Sequence, residues 1–141
     1  MQLLKQAKLG IVLAGLLAAS GALAEVVTFK AQLNAQNEVP PNPSTAVGTG
    51  EATLDTASRA LSWNIVYSGL SGPAIGAHFH GPGEAGKNAG IVLHFRSTAS
   101  PITGSQVVTE TQAAEILAGR WYINIHTERN PGGEIRGQLV R

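Results

Sequence analysis

No cysteine occurs anywhere in the 141 residues, and the only methionine is Met1. The first absence removes disulfide staples, thiolate metal sites, thiol redox chemistry and cysteine nucleophiles. The second removes thioether ligation, so a metal would have to be held by His, Asp, Glu or backbone oxygen. Asp55 is the only aspartate, which leaves a Ser-His-Asp triad almost no material. There is no Gly-x-Ser-x-Gly elbow either, and no two carboxylates stand out as a glycosidase pair. Charged residues make up only 13% of the chain, and they form no basic stripe of the kind that binds nucleic acid. A nucleic-acid partner is therefore not expected.

What charge there is begins at the N-terminus. Lys5 and Lys8 form a short positive region, and Leu9 to Leu23 (LGIVLAGLLAASGAL) then runs without a charge. Ala22-Leu23-Ala24 supplies the small-x-small pattern that a signal peptidase accepts. A bilayer span needs about 20 strongly apolar residues, and this run is shorter and diluted by Gly, Ser and Ala. Residues 1–24 therefore read as a cleavable signal peptide, with no membrane span expected after cleavage and a periplasmic or secreted destination.

Removing 24 of 141 residues leaves 117, residues 25–141, a length that suits one domain with one core. Without Lys5 and Lys8, eight Lys and Arg face nine Asp and Glu, a net charge of −1, so the excess of positive charge belongs to the export segment.

The remainder alternates like strands and is punctuated by Gly and Pro. Val26 to Leu33, Thr49 to Asp55, Leu61 to Tyr67, Ile75 to His80, Ile91 to Arg96, Tyr122 to Thr127 and Glu134 to Val140 give seven short strands. Asn37 to Ser44 (NEVPPNPS) is too rich in proline for a sheet interior, and Gly81 to Gly90 is a loop with four glycines. One short helix is predicted over Glu110–Ala118: Thr109 and Gln112 fit a capping box, and Gly119 can close the far end. A βαβ fold needs helices between most strands. The pattern instead predicts an all-β domain, an antiparallel Greek-key sandwich or barrel with a single short helix.

Four histidines remain: His78, His80, His94 and His126. Side chains alternate between faces along a strand, so parity locates them. Ala77 and Phe79, Leu93 and Phe95, and Ile123 and Ile125 take the core phase of their strands. All four histidines fall on the opposite phase. That face is either ordinary solvated polar surface or a convergent ligand set. A Gly-flanked His-x-His with two further strand histidines on the same phase favours the ligand set. Imidazoles without thiolate or thioether suit Cu(II) and Zn(II), with copper the tighter binder at a given nitrogen site. Structural zinc prefers a closed tetrahedral shell, whereas histidines exposed on a sheet face favour an open position and redox copper. Arg136 shares the non-core phase of its strand; if that strand neighbours the His126 strand, Arg136 lies close enough to attract a small anion toward a metal, the alternative being an ordinary solvated arginine or a partner of Glu134.

Ala31–Pro41 (AQLNAQNEVPP), Gly76–Pro82 (GAHFHGP) and Trp121–Leu139 (WYINIHTERNPGGEIRGQL) together resemble the CHRD, or chordin-type, domain over roughly Val27 to Val140. That resemblance implies an exported module over residues 25–141, of a kind found in secreted bacterial proteins and repeated in extracellular chordin. A second resemblance is chemical. Gly-x-His-x-His, a histidine 14 residues later, and a late strand histidine followed by arginine are similar to copper-zinc superoxide dismutase. The fold it implies is superoxide-dismutase-like, with an immunoglobulin-like sandwich as the alternative. It gives His78, His80, His94 and His126 to copper and makes Arg136 the residue that steers the anion. The disulfide cysteines and the zinc-site aspartate have no counterpart, and the His94–His126 interval is much shorter, so the likeness is to a copper-only site. The expected function is copper binding with superoxide-dismutase-like redox activity. The alternatives are copper buffering without turnover and a non-catalytic interaction module with an unknown protein partner.

Overall fold

The computed structural model describes residues 23–141; all but the last two residues of the signal segment lie outside them. Eight strands follow one another: β1 (Val26–Asn34), β2 (Val47–Asp55), β3 (Ala60–Ser68), β4 (Ala74–His80), β5 (Ile91–His94), β6 (Ile102–Val107), β7 (Tyr122–Thr127) and β8 (Ile135–Gln138). They form one sheet in the order β5-β4-β7-β8-β1-β2-β3-β6, with every pair antiparallel. The sheet curls into a half-barrel, so its two halves face each other like a sandwich. The predicted all-β antiparallel class is the class observed.

Alternation drives the curl. In β1, Val27, Phe29, Ala31 and Leu33 are buried while their neighbours are exposed, and the same period runs through β2 and β3. Burying one face of a curled sheet requires its halves to approach, and aromatic contacts mark the place. Trp63 of β3 meets Phe79 of β4 edge-to-face at 5.5 Å, and Phe79 meets Phe95 at 4.9 Å and 81°. Such pairs add about 0.5–1.5 kcal/mol each beyond their buried area. Gly50 of β2 permits a close approach: a Cβ there would lie 2.5 Å from Ile123 Cδ1, across the core.

The helix α1 spans Glu110–Leu117. Thr109 Oγ1 accepts from the Gln112 N–H and Gln112 Oε1 accepts from the Thr109 N–H, completing the predicted capping box. Gly119 follows in the left-handed region at φ 71°. The eighth strand, β6, was not legible in the sequence. Its residues ITGSQV bury only Ile102, because β6 is an edge strand that pairs with β3 alone.

Candidate metal centre

Strands β5, β4 and β7 are adjacent, and this brings the histidines together. His78 lies opposite His94 on β5, and Gly76 lies opposite His126 on β7. Because Gly76 has no side chain, the His78 ring leans over it; a Cβ there would be 3.1 Å from His78 Cε1. His78 is thus the hub, with ring centroids 4.6 Å from His94, 4.9 Å from His126 and 5.6 Å from His80. One ring nitrogen from each of His78, His80 and His126 falls within 4.8 Å of the other two. Metal–imidazole bonds of about 2.0–2.1 Å allow ligand nitrogens to be at most about 4 Å apart. A tetrahedral set at that bond length has nitrogens about 3.4 Å apart, so the widest pair of the triad would close by up to about 1.5 Å, while the His78 Nδ1–His126 Nε2 pair is already at 3.2 Å.

Loop carbonyls fix how two of the rings present themselves. The His80 Nδ1–H donates to Ala89 O at 2.9 Å, and the His126 Nδ1–H donates to Pro131 O at 2.9 Å. Each bond puts the proton on Nδ1 and leaves a lone pair on Nε2, the arrangement that orients a ligating imidazole. His80 Nε2 is buried with no hydrogen-bond partner in the protein, an acceptor that a metal would satisfy. Burial first, then repulsion from His126, His94 and His80, brings His78 down to about 4. Burial also lowers His80, against the bond to Ala89. Neutral imidazoles are the metal-binding form.

The loop at 81–90 closes over this face. Tyr122 Oη donates to Ala89 O at 3.2 Å and accepts from the Ala89 N–H at 2.9 Å. The Tyr122 ring stacks on His80 at 4.9 Å and 6°. The Arg136 guanidinium lies 3.5 Å from the Tyr122 ring centre, so β7 carries a phenol between an imidazole and a cation. These contacts explain why His80 is only 8% exposed, not open on the sheet face as its parity predicted.

Residues 29–139 match the family described as the CHRD domain. The chain belongs to the CHRD family. CHRD domains occur in extracellular or secreted proteins. Among the described residues no helix is long and apolar enough to cross a membrane. No curated protein and no solved structure matches the chain.

The three sequence motifs of the CHRD domain meet on one face of the sheet. From the first motif, Glu38 is buried and accepts from Asn124 Nδ2. From the second come His78 and His80. From the third come Asn124, His126 and Arg136. His94 lies beside this group on the edge strand, exposed and edge-on to His78, but outside the set of three convergent nitrogens. Arg136 is 2% exposed. It donates to Asn88 Oδ1 at 3.1 Å, Lys87 O at 2.5 Å and Glu84 O at 3.4 Å, so its N–H groups point into the loop at 81–90. Desolvation pushes the Glu38 carboxyl up to about 7, although Arg136, Asn124 and the Val39 N–H pull it down. Tyr122, Ala89 and Pro131 carried no signal in the sequence: two act through backbone carbonyls, and the third looked like one more strand aromatic.

Proposed function

We propose that this CHRD domain is an exported metal-binding module. Its ligands are His78, His80 and His126, its preferred metal is copper over zinc, and His94 stands beside them as a fourth imidazole. The supporting observation is the pair of loop-fixed tautomers, which leave lone pairs on the Nε2 atoms of His80 and His126, with His126 Nε2 3.2 Å from His78 Nδ1. The order of divalent affinities at a nitrogen site places copper above zinc. A bound copper ion would supply one-electron redox chemistry, and superoxide dismutation is the activity that this donor set and the dismutase likeness support. The chain's own residues then divide the work. His78, His80 and His126 bind. Ala89 O and Pro131 O hold the protons away from the ligating nitrogens. Tyr122 and the loop at 81–90 exclude water from one side of His80. Arg136 positions that loop through its carbonyls and is not counted among the groups that meet a substrate.

Cu(II) titration followed by calorimetry and electron paramagnetic resonance tests this directly. The expected result is one equivalent bound, with nitrogen hyperfine structure. His80→Ala and His126→Ala should weaken binding by more than the ~10–100-fold that loss of an outer partner costs. Unchanged affinity in both variants would overturn metal binding. A copper-loaded protein that dismutes superoxide no faster than chelated copper would leave a copper-buffering module.

A further inference from the structure

The curled sheet ends in two strands, β5 and β6, that pair with nothing beyond them. A cavity of about 350 Å³ lies between these edges. His94 and Arg96 line it from the β5 side, Thr103, Gly104 and Ser105 from β6, and Trp63 from β3. Phe95 sits between the two β5-side residues in sequence and turns inward, 5.4 Å from the Trp63 ring. That contact holds the exit of β5 against the β3–β6 side and fixes both walls of the seam.

The lining, completed by Gln106 of β6, contains no carboxylate, and Arg96 and the Trp63 indole in it can only donate. Arg96 has no acidic partner, since the one ion pair among the described residues joins Lys30 to Glu51. Trp63 is 8% exposed, yet its indole N–H is buried without any acceptor. An indole nitrogen can only donate, so this group needs a ligand oxygen. Gly104, opposite Trp63 in the β3–β6 register, lies against the indole edge and places no side chain of its own there. A Cβ there would lie 2.5 Å from Trp63 Cζ2 and 3.1 Å from Nε1. Thr103 and Ser105 add hydroxyls at the rim.

We propose that this seam is a binding site for a small oxyanion, a carboxylate or a phosphate. Arg96 supplies the charge and the Trp63 N–H the directed hydrogen bond. The oxyanion would sit beside His94, whose ring is 4.6 Å from that of His78, but its binding does not require a metal at the histidine triad.

The two tryptophans, Trp63 and Trp121, give two indole N–H resonances in a ¹⁵N-correlated NMR spectrum. The protein is titrated with sodium acetate and, separately, sodium phosphate at constant ionic strength, with sodium chloride as control. The Trp63 indole resonance should move and saturate. The Trp121 resonance, committed to Glu115 Oε2 at 3.0 Å, should stay. Arg96 is on the surface, so Arg96→Gln keeps the fold, and it should weaken the affinity about tenfold or more, as loss of a charge-assisted bond would. A response to acetate alone assigns a carboxylate ligand, and a response to phosphate alone assigns a phosphate. If neither anion moves Trp63, if chloride moves it equally, or if Arg96→Gln binds as tightly, the proposal is overturned.

Discussion

Replacing Glu134 with glutamine should cost about 3 kcal/mol at neutral pH, and the cost should fade in acid. Glu134 is fully buried just before β8, on the face that parity assigned to solvent. Its Oε1 accepts from Ser44 Oγ at 2.6 Å and the Ser71 N–H at 2.9 Å, and its Oε2 accepts from Ser71 Oγ at 2.7 Å and Thr127 Oγ1 at 2.5 Å. Burial alone would raise this carboxyl. The hydrogen bonds from Ser44, Thr127 and Ser71 overcome it and hold the group at about 2, against an ordinary 4.5. At 1.36 kcal/mol per pH unit that difference corresponds to roughly 3 kcal/mol. Counting bonds gives a similar figure, because a charged acceptor makes each bond worth about 1 kcal/mol more than a neutral one. The folded value lies below the unfolded one, so the contribution is complete above about pH 4.5 and disappears as pH falls toward 2. Urea unfolding of wild type and Glu134→Gln, followed by tryptophan fluorescence, should show a gap of about 3 kcal/mol at pH 7 and roughly 1.5 kcal/mol at pH 3. A gap that is equal at both pH values, or below about 1 kcal/mol at pH 7, would refute the assignment of the stabilisation to the ionised carboxylate.

Glu38 should behave in the opposite sense. Its carboxyl is held up at about 7, so its contribution is present below about pH 4.5 and lost as pH rises through 7. Glu38→Gln should therefore match wild type near pH 4 and exceed it by roughly 1–3 kcal/mol at pH 8 in the same unfolding assay. In the metal-free protein, the His78 ring resonances should titrate with a midpoint near 4; a midpoint above 6 would remove the desolvation on which the neutral triad depends. Gly137→Ala should destabilise by about 1–3 kcal/mol, because the new Cβ would lie 2.6 Å from Gln32 O, a backbone atom that cannot swing away. Gly72→Ala, which meets nothing within 4 Å, is the control and should unfold like wild type.

Alternation and the turn residues between runs located seven of the eight strands, and most of those seven bury at least two apolar side chains on one phase. Strand β6 buries one, Ile102, and its Gly104 and Ser105 carry no period. The same parity put the four histidines on the non-core phase of their strands, but the pairing of His78 with His94 came only from the β4–β5 register. Parity did not reveal what covers that face. His80, Asn124, Glu134 and Arg136 sit on the non-core phase yet are buried, since the NEVPPNPS loop and the loop at 81–90 fold back over the sheet. Sequence patterning reports which way a side chain leaves a strand; the coverage above it is set by loop contacts such as Asn88 Nδ2 to Val39 O at 3.0 Å. Arg136 shows the consequence most plainly. Its phase is that of a surface arginine, but its donors all end on the loop at 81–90.

The sheet order has a further consequence for biogenesis. The block β1-β2-β3-β6 and the block β5-β4-β7 touch through the backbone only where β8 lies between them, helped by the bridge from Lys30 to Val140. Strand β8 starts at Ile135, so neither block finds its partner until the chain has been made past that point. Contacts so distant in sequence also form slowly. In the export proposed above, such late closure would leave the chain threadable until β8 is made.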